Sequence, residues 1–298
     1  MDRLKRIGKW VAVASAVGLV ALVGLVVASS VAWSSRLGAR YETREHDFAI
    51  PELTDENRAE AERLYVSRGC GECHGADGGG RALIDAPPFL INPPNITSMM
   101  RALSPTDLHA LVRRGVRPDG SPVFFMPAVD YARMPDAELG LITAYVRALP
   151  ESDAQHAPSE LRALGKVLAF VGALDFPVLP AEVIDQSAPF EPVGPDEMGE
   201  YIALGCRGCH GERMSGGPIP GAPVESVGIP PNLTPHASGL AGWTLEEFAL
   251  AMREGRTPRG TLNPDFMPFR TYRHLDDAEM ASLFAYLQTL EPVDEGHR

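Results

Sequence analysis

Cysteine is scarce in this 298-residue chain: there are four, they fall in two clusters, and none is left over for a role outside those clusters. Aromatic residues are also few, at 7%, so something other than aromatic side chains fills part of the interior. Basic residues are outnumbered, 27 against 39 acidic, for a net charge of −12. Six of the basic residues (Arg3, Lys5, Arg6, Lys9, Arg36 and Arg40) and a single acid, Asp2, lie in residues 1–40, which leaves −17 on the remainder. Such a surface excludes nucleic acid as a partner; it serves either simple solubility or the steering of a basic partner. No run alternates in the manner of a strand, so a sheet-based fold is not expected. What the chain does have is 45% hydrophobic and 22% charged residues, the composition of a folded protein, in a length that accommodates two ordinary domains.

Charge is missing altogether from Trp10 to Ser35. The apolar part, Trp10 to Ala28, is 19 residues long, close to the roughly 20 needed to cross a bilayer and longer than the roughly 7–15 of a signal-peptide apolar region. Arg3, Lys5, Arg6 and Lys9 precede it, and by the positive-inside rule the N-terminus stays in the cytoplasm while everything after Arg36 is exported. Trp10 and Trp33 stand where interfacial aromatics belong. Residues 1–36 are therefore read as an N-terminal membrane anchor, a single pass through the cytoplasmic membrane with the soluble part in the periplasm. The competing reading is a signal peptide cleaved near Ala28-Ser29-Ser30; it too places the soluble part outside the cytoplasm.

The remainder repeats itself. Tyr65 to Gly75 (YVSRGCGECHG) matches Tyr201 to Gly211 (YIALGCRGCHG) at an offset of 136 residues. Pro93-Pro94-Asn95-Ile96-Thr97 matches Pro230-Pro231-Asn232-Leu233-Thr234, Phe125-Met126-Pro127 matches Phe266-Met267-Pro268, and Ala144-Tyr145-Val146 matches Ala285-Tyr286-Leu287. A duplication of this period implies two similar folds in series. Each copy reads as helical with long loops. One helix, about Asp55–Arg68 in the first copy, leads into the cysteine cluster. A second begins after Ser104, with Asp107 three residues on, and its counterpart after Thr244, with Glu247 three on; both are capping boxes. The last helices cover about Asp136–Leu149 and Asp277–Leu290. Between the copies lies a linker, 151–195, with one helical stretch carrying Leu161, Leu164, Leu168 and Val171 on one face, expected to pack on a domain. Its prolines (Pro177, Pro180, Pro189, Pro192 and Pro195) keep the rest extended. A second membrane contact is the alternative for that helix, disfavoured by Arg162 and Lys166.

The cysteine clusters are Cys70-Gly71-Glu72-Cys73-His74 and Cys206-Arg207-Gly208-Cys209-His210. Cys-x-x-Cys-His is the attachment signature of c-type haem: both thiols add to the vinyl groups at one ring edge, and the following histidine is carried under the ring to bind iron. A zinc site would need four ligands, where each cluster offers three. A thioredoxin-like pair would need a βαβ context. A disulfide within either pair is open to an oxidising compartment. The repetition of the whole pattern favours two haems c, held through Cys70, Cys73, Cys206 and Cys209, with His74 and His210 as axial ligands. For the opposite axial position Met126, 52 residues after His74, and Met267, 57 after His210, stand in repeat register between phenylalanine and proline. Met99, Met100 and Met134 are rivals in the first copy but have no second-copy counterpart. Histidine–methionine ligation raises the iron potential and suits electron transfer late in a chain.

Together the two CxxCH motifs, Pro231-Asn232-Leu233-Thr234-Pro235, Gly242-Trp243-Thr244, Arg253-Glu254-Gly255, Met267-Pro268 and Tyr286-Leu287 resemble those of diheme class I cytochromes c related to the cytochrome subunits of membrane-bound alcohol and gluconate dehydrogenases. The resemblance implies an all-α fold: a transmembrane helix followed by two tandem class I cytochrome c domains, 52–150 and 196–293. It also implies that the carbonyls of Pro94 and Pro231 accept from the other ring nitrogen of His74 and His210. Those dehydrogenase subunits usually carry three haem motifs and this chain has two. The expected function is a membrane-bound electron carrier without catalytic residues. It takes electrons from a dehydrogenase or quinol-oxidising complex and passes them to a downstream cytochrome or oxidase. The alternatives are a diheme enzyme, peroxidase or thiosulfate-dehydrogenase in type, and a diheme subunit of a haem-copper oxidase. Two equivalent methionines argue against an open iron, and four committed cysteines against a cysteine ligand.

Overall fold

The computed structural model describes residues 2–174, 177–219, 224 and 228–297; residues 175–176 of the linker, and 220–223 and 225–227 of the second copy, lie outside the described residues. Helix α1 (Asp2–Gly38) contains the charge-free run, and from Lys5 to Gly38 it is long and apolar enough to cross a membrane. In the first copy, α2 (Arg58–Ser67) leads through the left-handed Gly69 into the short α3 (Cys70–His74), and α4 (Met99–Ala102) precedes α5 (Pro105–Arg114). The short α6 (Ala128–Tyr131) follows the Met126-Pro127 turn, and α7 (Asp136–Ala148) closes the copy. Helix α8 (Ala163–Phe170) lies in the linker. The second copy runs α9 (Met198–His210), α10 (Leu245–Glu254), α11 (Phe269–Tyr272) and α12 (Asp277–Thr289).

Both capping boxes form as expected: the Ser104 and Thr244 hydroxyls accept from the amides of Asp107 and Glu247, whose carboxylates accept in return from the cap amides. Such caps satisfy amides that the first helical turn leaves open. A departure in secondary structure is a set of short strands. Ile84–Asp85 (β1), Phe89–Ile91 (β2) and Glu160–Leu161 (β3) form an antiparallel sheet of order β1-β2-β3, and Arg256–Thr257 (β4) pairs with Gly260–Thr261 (β5). Two- and three-residue strands are too short to leave an alternating pattern in the sequence. The chain remains mostly helical.

The two halves do not keep separate cores. Leu64, Leu108, Leu139 and Val146 of the first copy and Tyr201, Met252, Leu283 and Leu287 of the second belong to one continuous buried cluster. Between the halves sits a charge cluster centred on Arg68. Its guanidinium donates to both oxygens of Glu138 at 2.7 Å and also to Glu279 of the other half, which receives Arg63 as well at 2.6 Å. Arg68, Glu138 and Glu279 are all buried. Charges removed from water are tolerated only when their partners are in place, so this cluster fixes how the halves dock. Arg133–Glu197 adds a more exposed bridge between them. A second, smaller core gathers Trp33 of the anchor helix with Leu161, Val178 and Leu179, and Phe89, Phe124, Ala169 and Leu174 pack on it. The linker helix α8 packs on the first copy, as expected, and also on the anchor; of the expected packing face, Leu161 lies in β3 instead, and Leu164 and Val171 are exposed.

Burial alone would raise the Glu279 carboxyl, but the Arg68 and Arg63 guanidiniums overcome it and hold the group below the usual glutamate range. A carboxylate lowered in the folded state contributes fully above its unfolded pKa, about 4.3, and the contribution is lost as pH falls through the lower folded value. Glu279→Ala should cost about 3 kcal/mol, the low end for breaking a buried pair, because Arg68 keeps Glu138 and Arg63 keeps Glu60. Because the core is continuous, denaturant melts of the haem-loaded protein should show both halves losing stability together. A loss confined to one half would contradict the shared core.

Candidate haem sites

Both CxxCH motifs are helical, α3 forming a single turn and the second motif ending α9. A helical turn brings residues three and four apart to one face, which sets the first cysteine beside the second and the histidine. Desolvation pushes the Cys70 thiol up to about 12, with the neighbouring Cys73 adding to it, and Cys206 likewise, with Cys209 adding. The exchange-active Cys-x-x-Cys pair needs the opposite shift, a thiol lowered toward neutrality. Cys206 lies in the core and Cys70 packs against it, while Cys209 is exposed and Cys73 half-buried, so each pair reaches from the core to the edge where a ring would be joined by thioethers.

The histidines are held in one tautomer. His74 Nδ1 donates to the carbonyl of Pro94 at 2.9 Å, and His210 Nδ1 to the carbonyl of Pro231 at 2.8 Å. That leaves Nε2 on each ring as the lone-pair donor, the arrangement of a histidine prepared for a metal. The resemblance implied these contacts and both are present. What holds each proline in place was not read from the sequence. Six residues after each histidine, Gly80 and Gly216 turn back in the left-handed region (φ 80° and 69°) and donate to the histidine carbonyls at 2.8 and 2.9 Å. A Cβ on Gly80 would stand 2.5 Å from the Pro93 carbonyl oxygen, and one on Gly216 2.3 Å from that of Pro230. Only glycine lets the backbones approach this closely. The signal was available: the two glycines are 136 residues apart, the repeat offset.

Met126 and Met267 occupy equivalent turns. Each is half-buried against the main core, and each carbonyl accepts from the amide two residues on, Ala128 at 2.8 Å and Phe269 at 2.7 Å. The following prolines have nearly the same torsions (φ −79°, ψ 58° and φ −77°, ψ 52°) and cap α6 and α11. Tyr131, five residues after Met126, donates from its hydroxyl to the Arg68 carbonyl at 2.9 Å, and Tyr272 makes the matching contact to Gly205 at 3.5 Å. Each methionine turn is thereby tied to the residues just ahead of its own CxxCH motif. The rivals Met100 and Met134 are buried in the core, at 5% and 1% exposure, and Met99 packs against it. The first turn is the more constrained. Phe125 lies in the left-handed region (φ 66°), costly for a bulky residue, and its amide donates to Val178 of the linker at 3.0 Å.

The two sites cross over one another. Thr271, four residues after Met267, donates to Glu72 between the cysteines of the first motif. Asp130, four after Met126, lies in the field of Arg207 between the cysteines of the second. The two motif edges thus meet across the interface in a near-twofold arrangement.

Comparison with known proteins agrees. Residues 199–291 match the family model described as cytochrome c, and residues 56–146 match the one described as cytochrome c oxidase, cbb3-type, subunit III. The chain carries two cytochrome c domains. It is 33% identical over 105 residues to the fructose dehydrogenase cytochrome subunit of Gluconobacter japonicus, covering 32% of this chain and 21% of that one. It is 34% identical over 114 residues to a diheme cytochrome c-type protein of Cereibacter sphaeroides (34% and 38%), and 28% identical over 110 residues to the gluconate 2-dehydrogenase cytochrome c subunit of Pantoea cypripedii (34% and 25%). The chain spans well under half the length of these relatives. It resembles the diheme cytochromes c, and two covalently bound haems c are its cofactors.

Burial raises the Asp130 carboxyl to about 6, against the opposing pull of Arg207 and with Glu212 adding, and the same group acts on the Cys206 thiol. Above that pH its negative charge favours the oxidised, more positive iron. The potential of one haem should therefore fall as pH rises through about 6, by at most ~59 mV per unit. Asp130→Asn should flatten that dependence in a spectroelectrochemical titration; an unchanged slope would remove Asp130 from the second site's electrostatics.

Proposed function

We propose that this chain is a membrane-anchored periplasmic electron carrier with two closed iron sites, His74/Met126 in a domain spanning 52–150 and His210/Met267 in a domain spanning 196–293. Cys70, Cys73, Cys206 and Cys209 hold the haems covalently. The observation that carries the reading is the duplicated frame: a histidine tied through Nδ1 to a proline carbonyl at matching positions in both halves, and a methionine turn whose tyrosine reaches the residues just ahead of its own motif. When bound, each haem supplies a one-electron change at its iron. The chain's part is positional. The proline carbonyls fix the imidazoles, the tyrosines fix the methionine turns, and the Arg68 cluster sets the two motif edges against each other.

Electrons enter from a dehydrogenase or quinol-oxidising complex and leave to a downstream cytochrome or oxidase. The dehydrogenase side is supported by relatives whose names make them cytochrome subunits of fructose and gluconate dehydrogenases. The acidic soluble part suits a partner with a basic docking face. A second reading, a diheme subunit of a haem-copper oxidase, is favoured by the match of residues 56–146 alone. The exposed apolar surface of α1 suits passage through a membrane in either case.

Carbon monoxide binding to the reduced protein tests the closed sites. A ligand already in place must leave before another enters, so both wild-type haems should bind it slowly. Met126→Ala should open only the first haem and Met267→Ala only the second, each lowering the potential of the haem it touches. Fast binding to one wild-type haem would make that site an open, enzymatic one. Denaturing mass spectrometry of the mature protein should carry two haem adducts and begin at or near the N-terminus; a start just after Ser30 would replace the anchor by a cleaved signal.

A further inference from the structure

Helix α8 plays no part in holding a haem, and its position calls for an explanation. It packs on the last turns of α1, and the two enclose a cavity of about 170 Å³ lined by Ser29, Ala32, Trp33 and Arg36 on one side and Lys166, Ala169 and Phe170 on the other. All four anchor residues follow Ala28, where the apolar run ends. At ~1.5 Å per residue, Ser29 to Arg36 covers roughly 10 Å, on the order of one headgroup layer. Helix α8 thus sits at the level where the anchor leaves the hydrocarbon.

Its outward side at that level is apolar. Leu164 and Val171, seven residues apart and so on one face, are 49% and 58% exposed, and Phe170, at the edge of the cavity, is 50% exposed. Three large apolar side chains exposed together mark an interaction surface. It lies beside the point where the bare apolar surface of the anchor, exposed at Val27 and Val31, leaves the acyl phase, which argues for lipid as its occupant. The polar side carries the cations. Arg162 pairs with Asp85, and Arg36 with Glu182 at 2.8 Å, whereas Lys166 makes no ion pair among the described residues. An apolar edge with cations beside it is the pattern of a helix lying in the membrane interface. The cavity is smaller than the ~300 Å³ at which small-molecule pockets begin, and two cations line it.

We propose that α8 is a second membrane contact. It lies in the outer headgroup layer with Leu164, Phe170 and Val171 at the acyl boundary, and Lys166, with Arg36 across the cavity, binds the phosphate of an anionic phospholipid. The sequence disfavoured this because Arg162 and Lys166 interrupt the apolar stretch; in the fold Arg162 is taken up by Asp85 and the Ala86 carbonyl, and Lys166 falls where headgroup charge would meet it. The proposal rests on the anchor being retained. Its consequence is orientation. The cluster of Trp33, Phe124 and Val178 joins α8 and the anchor to the first haem domain, so two membrane contacts fix the tilt at which that domain faces its partners.

The test uses the full haem-loaded chain in nanodiscs of phosphatidylcholine and phosphatidylglycerol. Spin labels are placed singly at Val20→Cys in the anchor, Phe170→Cys in α8 and Leu245→Cys on the exposed start of α10. Collision with oxygen against a water-soluble nickel complex reports whether each lies in lipid or water. Labels at 20 and 170 should both favour oxygen, several-fold over the label at 245. A label at 20 in lipid with 170 in water overturns the proposal and leaves the anchor standing. A label at 20 in water removes the anchor, and this proposal with it. Native mass spectrometry reads the headgroup: Lys166→Gln should lose about fivefold of the retained phosphatidylglycerol relative to phosphatidylcholine. Unchanged retention overturns the phosphate site.

Discussion

The guanidinium of Arg68 is the contact on which most of the soluble structure converges. It stands two residues before the first cysteine of the first motif and bonds to Glu138 on the last helix of its own half and to Glu279 on the last helix of the other. Its backbone carbonyl accepts from Tyr131, which holds the Met126 turn. One residue therefore links a haem motif, the opposite axial turn and the interface between halves. Burying three charges is expensive unless every partner is present, and that expense gives the docking its specificity: a halfway-docked arrangement would leave charges unpaired in an apolar surround.

The duplication follows a simple division of labour. Parts that hold a haem are repeated closely: the proline carbonyl to histidine bond, the glycine that lets the proline come close, and the methionine–proline turn, whose tyrosine tether shifts by one acceptor residue and lengthens in the second copy. Parts that join the halves are not. Arg68 corresponds to Leu204 in the second copy, and the crossing contacts of Glu72 and Arg207 use different chemistry at nearly matching places. A shared interface needs complementary surfaces, so the duplicated halves had to diverge there while their haem frames stayed alike.

This division also explains what the sequence made legible. Motifs close in the chain and repeated, such as CxxCH, the two capping boxes and the Phe-Met-Pro turns, could be read directly, and the helices formed within a few residues of where the periodicity placed them. Gly80 and Gly216 escaped notice because their role, a close backbone approach, belongs to the folded loop. The continuous core and the Arg68 cluster join residues more than 200 positions apart, a relation that no local pattern carries. The linker helix was read in part: it packs on the first copy as expected, through Ala169 and Gly165, but it also meets the anchor, and its face was misplaced, with Leu161 in β3 and Leu164 and Val171 exposed. Which surface it meets depends on where the chain returns.

The crowding around Phe125 means that the two copies are no longer interchangeable parts. Its left-handed backbone is pinned to the linker at Val178, and its neighbour Phe124 stacks edge-on against Trp33 with ring centres 5.7 Å apart. Phe266, in the same place in the second copy, keeps an ordinary backbone and is 41% exposed. Transplanting the second turn into the first half would leave the end of the anchor without its stacking partner, while the reverse graft would carry a strained backbone away from the linker bond to Val178 that pins it. What began as one unit copied has become a fixed mount and a free-standing one.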